Sequence, residues 1–213
     1  MTPLSEDEHI LLKEIRNLVN AATREVCANH YDAPTQEPPT TSRLAQAIES
    51  ELKHHPINVN DLTVEIATQD VPDRGSTMES LIGADLYISI VWKERDINKG
   101  MLIQSKWDYA SSDPKLDEQI KHMQARTDEA YVWLYGRYEV DSLPAAFFTG
   151  KISTALGVSV GQIIADGFAC TRGDPKIGRD LNKPRAEAMN DMLNRLHAEA
   201  ALEFAVSNKR KRG

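Results

Sequence analysis

Apolar and polar positions alternate along this chain with two different periods. In "SEDEHILLKEIRNLVNAATREVCANH", Leu11, Ile15, Leu18, Ala22 and Val26 recur three or four positions apart, which predicts an amphipathic helix. Ser5 and Glu8 stand at its start with the spacing of a capping box. The next stretch, "YDAPTQEPPTTS", is proline-rich and without period, and reads as a linker. A second helix is predicted over "TSRLAQAIESELKHH", capped by Thr41 or Ser42, with Ala45, Ile48 and Leu52 on its apolar stripe. The period then drops to two. "DLTVEIATQD" predicts a strand and "VPDRGS" the turn after it. Two apolar runs follow in "GADLYISIVWKERDINKGMLIQSKW", with the polar linker "KERDINKG" between them.

Helical spacing returns in "DPKLDEQIKHMQART", where Asp113 caps, Pro114 takes the first turn, and Leu116, Ile120 and Met123 share a face. "AYVWLYG" has the length of a short buried strand. Residues 143–180 carry enough glycine to suggest short elements and turns. Met189, Met192, Leu193, Leu196 and Ala200 predict one long closing helix over residues 184–206. The expected order is helices, three strands, helix, strand, and a helical C-terminal part. Such an order belongs to the α/β (α+β) class, a mixed central sheet flanked by helices. The expected organisation is an N-terminal helix over 1–33, a core over 40–150, and a mainly helical extension over 151–213 packed on it.

Composition narrows the class without naming a function. The chain has 213 residues, 41% hydrophobic and 27% charged, enough for one domain with a sizeable core. No apolar run approaches the ~20 residues that span a bilayer, so no membrane partner is expected. The acidic start "MTPLSEDEHI" differs from a signal peptide. Cys27 and Cys170 provide neither a disulfide framework nor a zinc-ligand spacing, so a cytoplasmic location is expected. A net charge of −7 argues against a protein coated in nucleic acid, though not against a local basic surface. The "KRKR" run from Lys209 to Arg212 is either a solvated tail or a phosphate anchor.

The chemistry lies in the strand pair. Side chains alternate along a strand, so Leu86, Ile88, Ile90 and Trp92 share one face, and Asp85, Tyr87, Ser89 and Val91 the other. On the second strand Ile103, Ser105 and Trp107 point one way, and Leu102, Gln104 and Lys106 the other. Gln104 and Lys106 then lie roughly 7 Å apart on one face. If the strands are neighbours, an acid, an amide and an ammonium group converge at one end of the sheet. A hard divalent cation takes oxygen ligands of this kind, and a nearby ammonium orients water and stabilises charge on a phosphate. The plainer alternative is an edge strand with a wet outer face. Against it, "MLIQSKW" is apolar on both faces until Gln104, and "GAD" puts small residues beside the acid.

Asp85 in "GADLYI" followed by "LIQSKW" resembles the PD-(D/E)XK nuclease superfamily. The similarity is to the variant with glutamine for the second acid, as in Mrr-like restriction endonucleases and anti-phage effector nucleases. It covers residues 42 to 136. The resemblance implies a restriction-endonuclease-like fold and Mg²⁺- or Mn²⁺-dependent hydrolysis of a nucleic-acid phosphodiester. Asp85 and Gln104 would be metal ligands, the Ser105 carbonyl a further ligand, and Lys106 the residue that orients water. The missing second acid leaves room for a weak or unused metal site.

Other residues have two readings each. Glu79 in "TMESLIGAD" either completes the metal site or is a solvated turn residue. Glu49 leans toward the apolar stripe of its helix and either faces the metal or borders Ile48. Glu65 reads as a solvent-facing strand residue. Gln119 either stands behind the metal ligands, touches a phosphate, or simply borders its helix. His54, His55 and His122 need no catalytic role. Tyr131, Trp133 and Tyr135 read as core, and Cys170 as a buried thiol. The leading expectation is a DNA endonuclease of bacterial defence or restriction, with RNA as the alternative substrate. It would act as a homodimer, with room for an activating protein partner. The other reading is a nuclease-fold subunit that binds nucleic acid or protein with its metal site unused.

Overall fold

Strands that are apolar at successive positions have to be covered on both faces, and the central strands of this protein are. The computed structural model describes residues 2–31, 37–70, 84–108, 115–147 and 157–209. In chain order these form α1 (Glu6–His30), α2 (Glu37–His54), β1 (Asn58–Val59), β2 (Leu62–Asp70), β3 (Ala84–Trp92), β4 (Ile97–Trp107) and α3 (Leu116–Gln124). Then come β5 (Ala130–Tyr135), β6 (Val140–Pro144), β7 (Val158–Ser159), α4 (Val160–Phe168), α5 (Arg185–Leu196) and β8 (Ala198–Asn208). The eight strands make one mixed sheet in the order β1-β2-β8-β3-β4-β5-β6-β7. Two pairings, β3 with β8 and β4 with β5, are parallel, and the others are antiparallel.

The faces divide as the alternation predicts. Leu86, Ile88, Ile90 and Trp92 of β3 join Ile103 and Trp107 of β4 in one apolar cluster, with α1, α2 and α4 above it. Tyr131, Trp133 and Tyr135 belong to the same core. On the other face Tyr87, Leu102, Val132 and Leu134 pack beneath Leu116, Ile120 and Met123 of α3 and Met192, Leu193 and Leu196 of α5. β4 is thus an interior strand, with β3 and β5 on either side, and the edge-strand reading is excluded. α1 begins on the expected capping box: the Glu8 N–H donates to Ser5 Oγ, and the Ser5 N–H donates to the Glu8 carboxylate.

Two expectations are corrected, and a third lies outside the described residues. α2 starts at Glu37, not at a Thr41 or Ser42 cap, so those two residues lie inside the helix. Pro38 and Pro39 fall in its first turn, where the missing N–H groups would have had no intrahelical partner. The caps foreseen at Asp113 and Pro114 lie outside the described residues, and α3 starts at Leu116 with no side-chain cap from Lys115. The largest difference is at the C-terminal side. The predicted helix over residues 184–206 stops at Leu196, where His197 takes the left-handed conformation (φ 55°, ψ 43°). The chain then becomes β8, which lies between β2 and β3 in the middle of the sheet. The part beyond residue 150 is therefore not a helical extension packed on a core, since it supplies a central strand.

Sequence favours either reading of residues 198–206. Alanines prefer helix by only a few tenths of a kcal/mol each. Ala198, Ala200, Leu202, Phe204 and Val206 also alternate with period two, and all five are buried. Main-chain pairing on both sides and burial on both faces outweigh the propensity. The small Ala201 and Ala205 share the α5 side of the strand with Glu203, which is fully buried. Glu203 is bound by Arg179, by Arg185 Nε at 2.9 Å and by the Ser89 hydroxyl at 3.1 Å. Arg185 also holds Glu65 at 2.7 Å, so Glu65 is tied into this network rather than facing solvent alone.

This network yields a stability prediction. Glu203→Ala strips two guanidinium groups of their buried counter-charge, and breaking such a pair costs about 3–5 kcal/mol. Urea denaturation should show a correspondingly lower midpoint. A midpoint equal to the parent's would mean that the network contributes nothing.

Candidate active site

Among the described residues the pairing between β3 and β4 runs from Trp92↔Ile97 to Leu86↔Ile103. At the next position the Asp85 side chain takes over from the main chain. Its Oδ2 accepts the Ser105 N–H at 2.7 Å and Gln104 Nε2 at 2.9 Å. The strand separation that was expected to bring Asp85 beside Gln104 does so, with direct contact. Lys106, two positions on and on the same face, acts on Asp85 through its charge. All are enclosed: Asp85 is 5% exposed, Gln104 2% and Lys106 4%. Those figures exclude the wet outer face of the plainer alternative.

Enclosure sets the electrostatics. Burial pushes the Asp85 carboxyl up to about 6, against the Ser105 N–H, the Lys106 charge, the Ser105 hydroxyl and Gln104, which pull it down. With its amide nitrogen turned to Asp85, Gln104 leaves Oε1 buried and without a hydrogen-bond partner. An acceptor left this way costs about 1–3 kcal/mol. A carboxylate that resists ionising and an amide oxygen with nothing to accept are what a divalent cation would satisfy. Among the described residues, however, no group of three or more His, Cys, Asp and Glu side chains could hold an ion. A cation here would lean on Asp85, the Gln104 amide and the Ser105 carbonyl.

The remaining candidates separate. Glu49 is half-buried on α2, where its carboxylate accepts from the Thr68 hydroxyl and pairs with Lys53 at 2.9 Å. Burial pushes its carboxyl up, but Thr68 and Lys53 hold it below the ordinary range. Its partners are thus on α2 and β2, away from the Asp85 contacts with Gln104 and Ser105. Glu79 lies outside the described residues. Gln119 sits on α3, against the face that carries Gln104 and Lys106, and its Oε1 is also buried without a hydrogen-bond partner. His122 is exposed. Cys170 is half-buried, less than expected, while the buried Cys27 thiol is pushed up to about 12 by burial and by Asp108 and Glu139.

Two residues next to the site were read in the sequence only as a helix cap (Thr41) and as core (Tyr135). Thr41 of α2 donates to Ser105 Oγ at 2.6 Å, and the Tyr135 hydroxyl donates to Thr41 Oγ1 at 3.2 Å. The signal was available: Thr41 stands four residues before Ala45 and seven before Ile48, so its hydroxyl falls on the apolar stripe. Comparison with known protein families, characterised proteins and solved structures gives no match.

The Asp85 carboxyl makes stability depend on pH. Its folded value of about 6 lies above the ordinary 3.8, so its protonated form is the one the fold favours. The stability this provides is complete below pH 4 and is lost as pH rises through about 6, an effect on the order of 3 kcal/mol. Urea midpoints measured with a chelator from pH 4 to 7.5 should fall in the parent and stay flatter in Asp85→Asn. Parallel profiles would show that Asp85 ionises in the fold as it does in the unfolded chain.

Proposed function

We propose that this protein is a metal-dependent nuclease of the PD-(D/E)XK type that hydrolyses DNA phosphodiester bonds. The observation that carries the reading is the contact of Asp85 with Gln104 and Ser105 beside Lys106, with the Gln104 amide oxygen left open. With the two-residue β1 set aside, the succession α2–β2–β3–β4–α3–β5 supports a restriction-endonuclease-like core. In this reading Asp85, Gln104 Oε1 and the Ser105 carbonyl hold Mg²⁺ or Mn²⁺. The cation supplies charge neutralisation for the phosphodiester. Asp85 gives the site its one described carboxylate, and Glu79 is the proposed source of a second. Lys106 orients the attacking water and stabilises charge on the phosphate, and the low exposure of the cluster strengthens each of these interactions. A role in restriction or defence, a homodimer acting on both strands, and an activating partner belong to the same proposal.

A second reading has an observation of its own. Asp85 already accepts two uncharged donors, and burial raises its carboxyl to about 6, so the carboxylate itself is provided for without a cation. In that reading the chain is a nuclease-fold subunit that binds nucleic acid or protein and cuts nothing.

Plasmid cleavage in Mg²⁺ and in Mn²⁺, run beside Mn²⁺ calorimetry, separates the two. The nuclease reading expects cleavage by the parent that a chelator abolishes. Lys106→Met should slow cleavage by more than about 100-fold while leaving Mn²⁺ affinity close to the parent's, whereas Asp85→Asn should lose both. A parent that binds no Mn²⁺ and leaves both plasmid strands intact would establish the binding reading instead.

Gln104→Glu probes the amide directly. It adds a negative ligand at a position already facing Asp85, so Mn²⁺ should bind more tightly, with cleavage retained to within about tenfold. Weaker Mn²⁺ binding in this variant would place the cation, if any, away from residue 104.

A further inference from the structure

Beneath the site lies a chain of hydroxyls in an otherwise apolar core. Ser105 and Tyr135 are 0% exposed and Thr41 is 1% exposed. Thr41 shares its side of α2 with Leu44, Ala45 and Ile48, all buried. A hydroxyl in such a place costs roughly 1–3 kcal/mol unless it is bonded, and valine or phenylalanine would fill the same volume without that cost. Here each hydroxyl is bonded onward. Tyr135 donates to Thr41 and Thr41 donates to Ser105, so the proton of Ser105 is the last of the series and is not needed by the chain.

Ser105 also lies just past the main-chain pairing of β4 with β3. Among the described residues that pairing runs to Ile103, and at Ser105 the side of the strand facing β3 is met by a side chain. Asp85 accepts the Ser105 N–H, and Thr41, from the helix covering the opposite face, donates to the Ser105 hydroxyl oxygen. The residue is clamped between a carboxylate and a helix.

We propose that Thr41 is a positioning residue for the candidate site, acting through Ser105. It fixes the backbone of residues 104–106 so that the Ser105 N–H meets Asp85 while the Ser105 carbonyl and the Gln104 amide oxygen face a divalent cation. Tyr135 serves Thr41 by fixing the direction in which its hydroxyl donates. This inference rests on the metal-site reading above, but its mechanical part concerns Ser105 alone. Partners behind metal ligands typically change affinity 10–100-fold when removed.

The test compares the full-length parent with Thr41→Val, Thr41→Ser and Tyr135→Phe. Three quantities are read: Mn²⁺ affinity by calorimetry, amide exchange of Ser105 against Leu102 in the same strand by NMR, and thermal midpoint. Thr41→Val should weaken Mn²⁺ binding by at least about tenfold and speed exchange at Ser105 but not at Leu102. Thr41→Ser should restore both, and Tyr135→Phe should produce a smaller change in the same direction. If Thr41→Val does not fold, Tyr135→Phe carries the comparison. A lower midpoint with unchanged Mn²⁺ affinity and unchanged Ser105 exchange would reduce Thr41 to a packing residue and overturn the proposal. A parent that binds no Mn²⁺ removes the metal reading, and Ser105 exchange then decides for or against positioning by itself.

Discussion

β8 is the strand on which the sheet depends. It pairs with β2 on one side and β3 on the other, and without it those two strands would each present an unpaired row of N–H and C=O groups. An interior strand must also be covered above and below, which is why residues 198–206 are almost all buried. The one fully buried charge inside that stretch, Glu203, is answered by two arginines that arrive from the segment before α5 and from its first turn. That network therefore does more than satisfy a carboxylate. It fixes the approach of α5 to the sheet, and α5 in turn closes the face on which Gln104 and Lys106 lie.

The Asp85 cluster stands at the opposite extreme, with polar groups that do not balance. One carboxylate, two amide-type donors and an ammonium group share a volume from which water is largely excluded. The donors are matched, while an amide acceptor is left over. Folding alone would favour an aliphatic pair at positions 85 and 104, since burial of imperfectly paired polar groups opposes stability. Their presence is the kind of local conflict that marks functional sites. Glu49, which has a carboxylate but also a hydroxyl and a lysine to satisfy it, shows no such imbalance.

How much of this was legible in the sequence varied with how local the determinant was. The capping box of α1 works through residues three apart and was read directly. So was the division of β3 and β4 into faces, because alternation needs no knowledge of the partner strand. The meeting of Asp85 with Gln104 followed from that alternation plus the guess that the two strands pair. β8 was misread because an alanine-rich segment satisfies both periods, and only its partners, far away in the chain, decide between them. The early start of α2 was hidden by prolines that read as linker signals but are tolerated in a first turn. Burial of the site was equally invisible, since it depends on how distant elements close over it. Thr41 was overlooked because a threonine near the expected helix start looks like a cap.

The place of β8 in the sheet has a consequence for how the protein is made. Synthesis proceeds from the N-terminus, so β2 and β3 leave the ribosome long before residues 198–208 exist. Until then β3 can pair with β4, but its other edge and that of β2 stay open to any strand they meet. The sheet cannot be completed domain-first from the leading end. Its closure is a late event that joins segments distant in the chain, the kind of step that is slow because loop-closure entropy precedes the reward. Nascent chains stalled before residue 198 should consequently be clients for chaperones that bind exposed strands, whereas chains released after residue 208 should not.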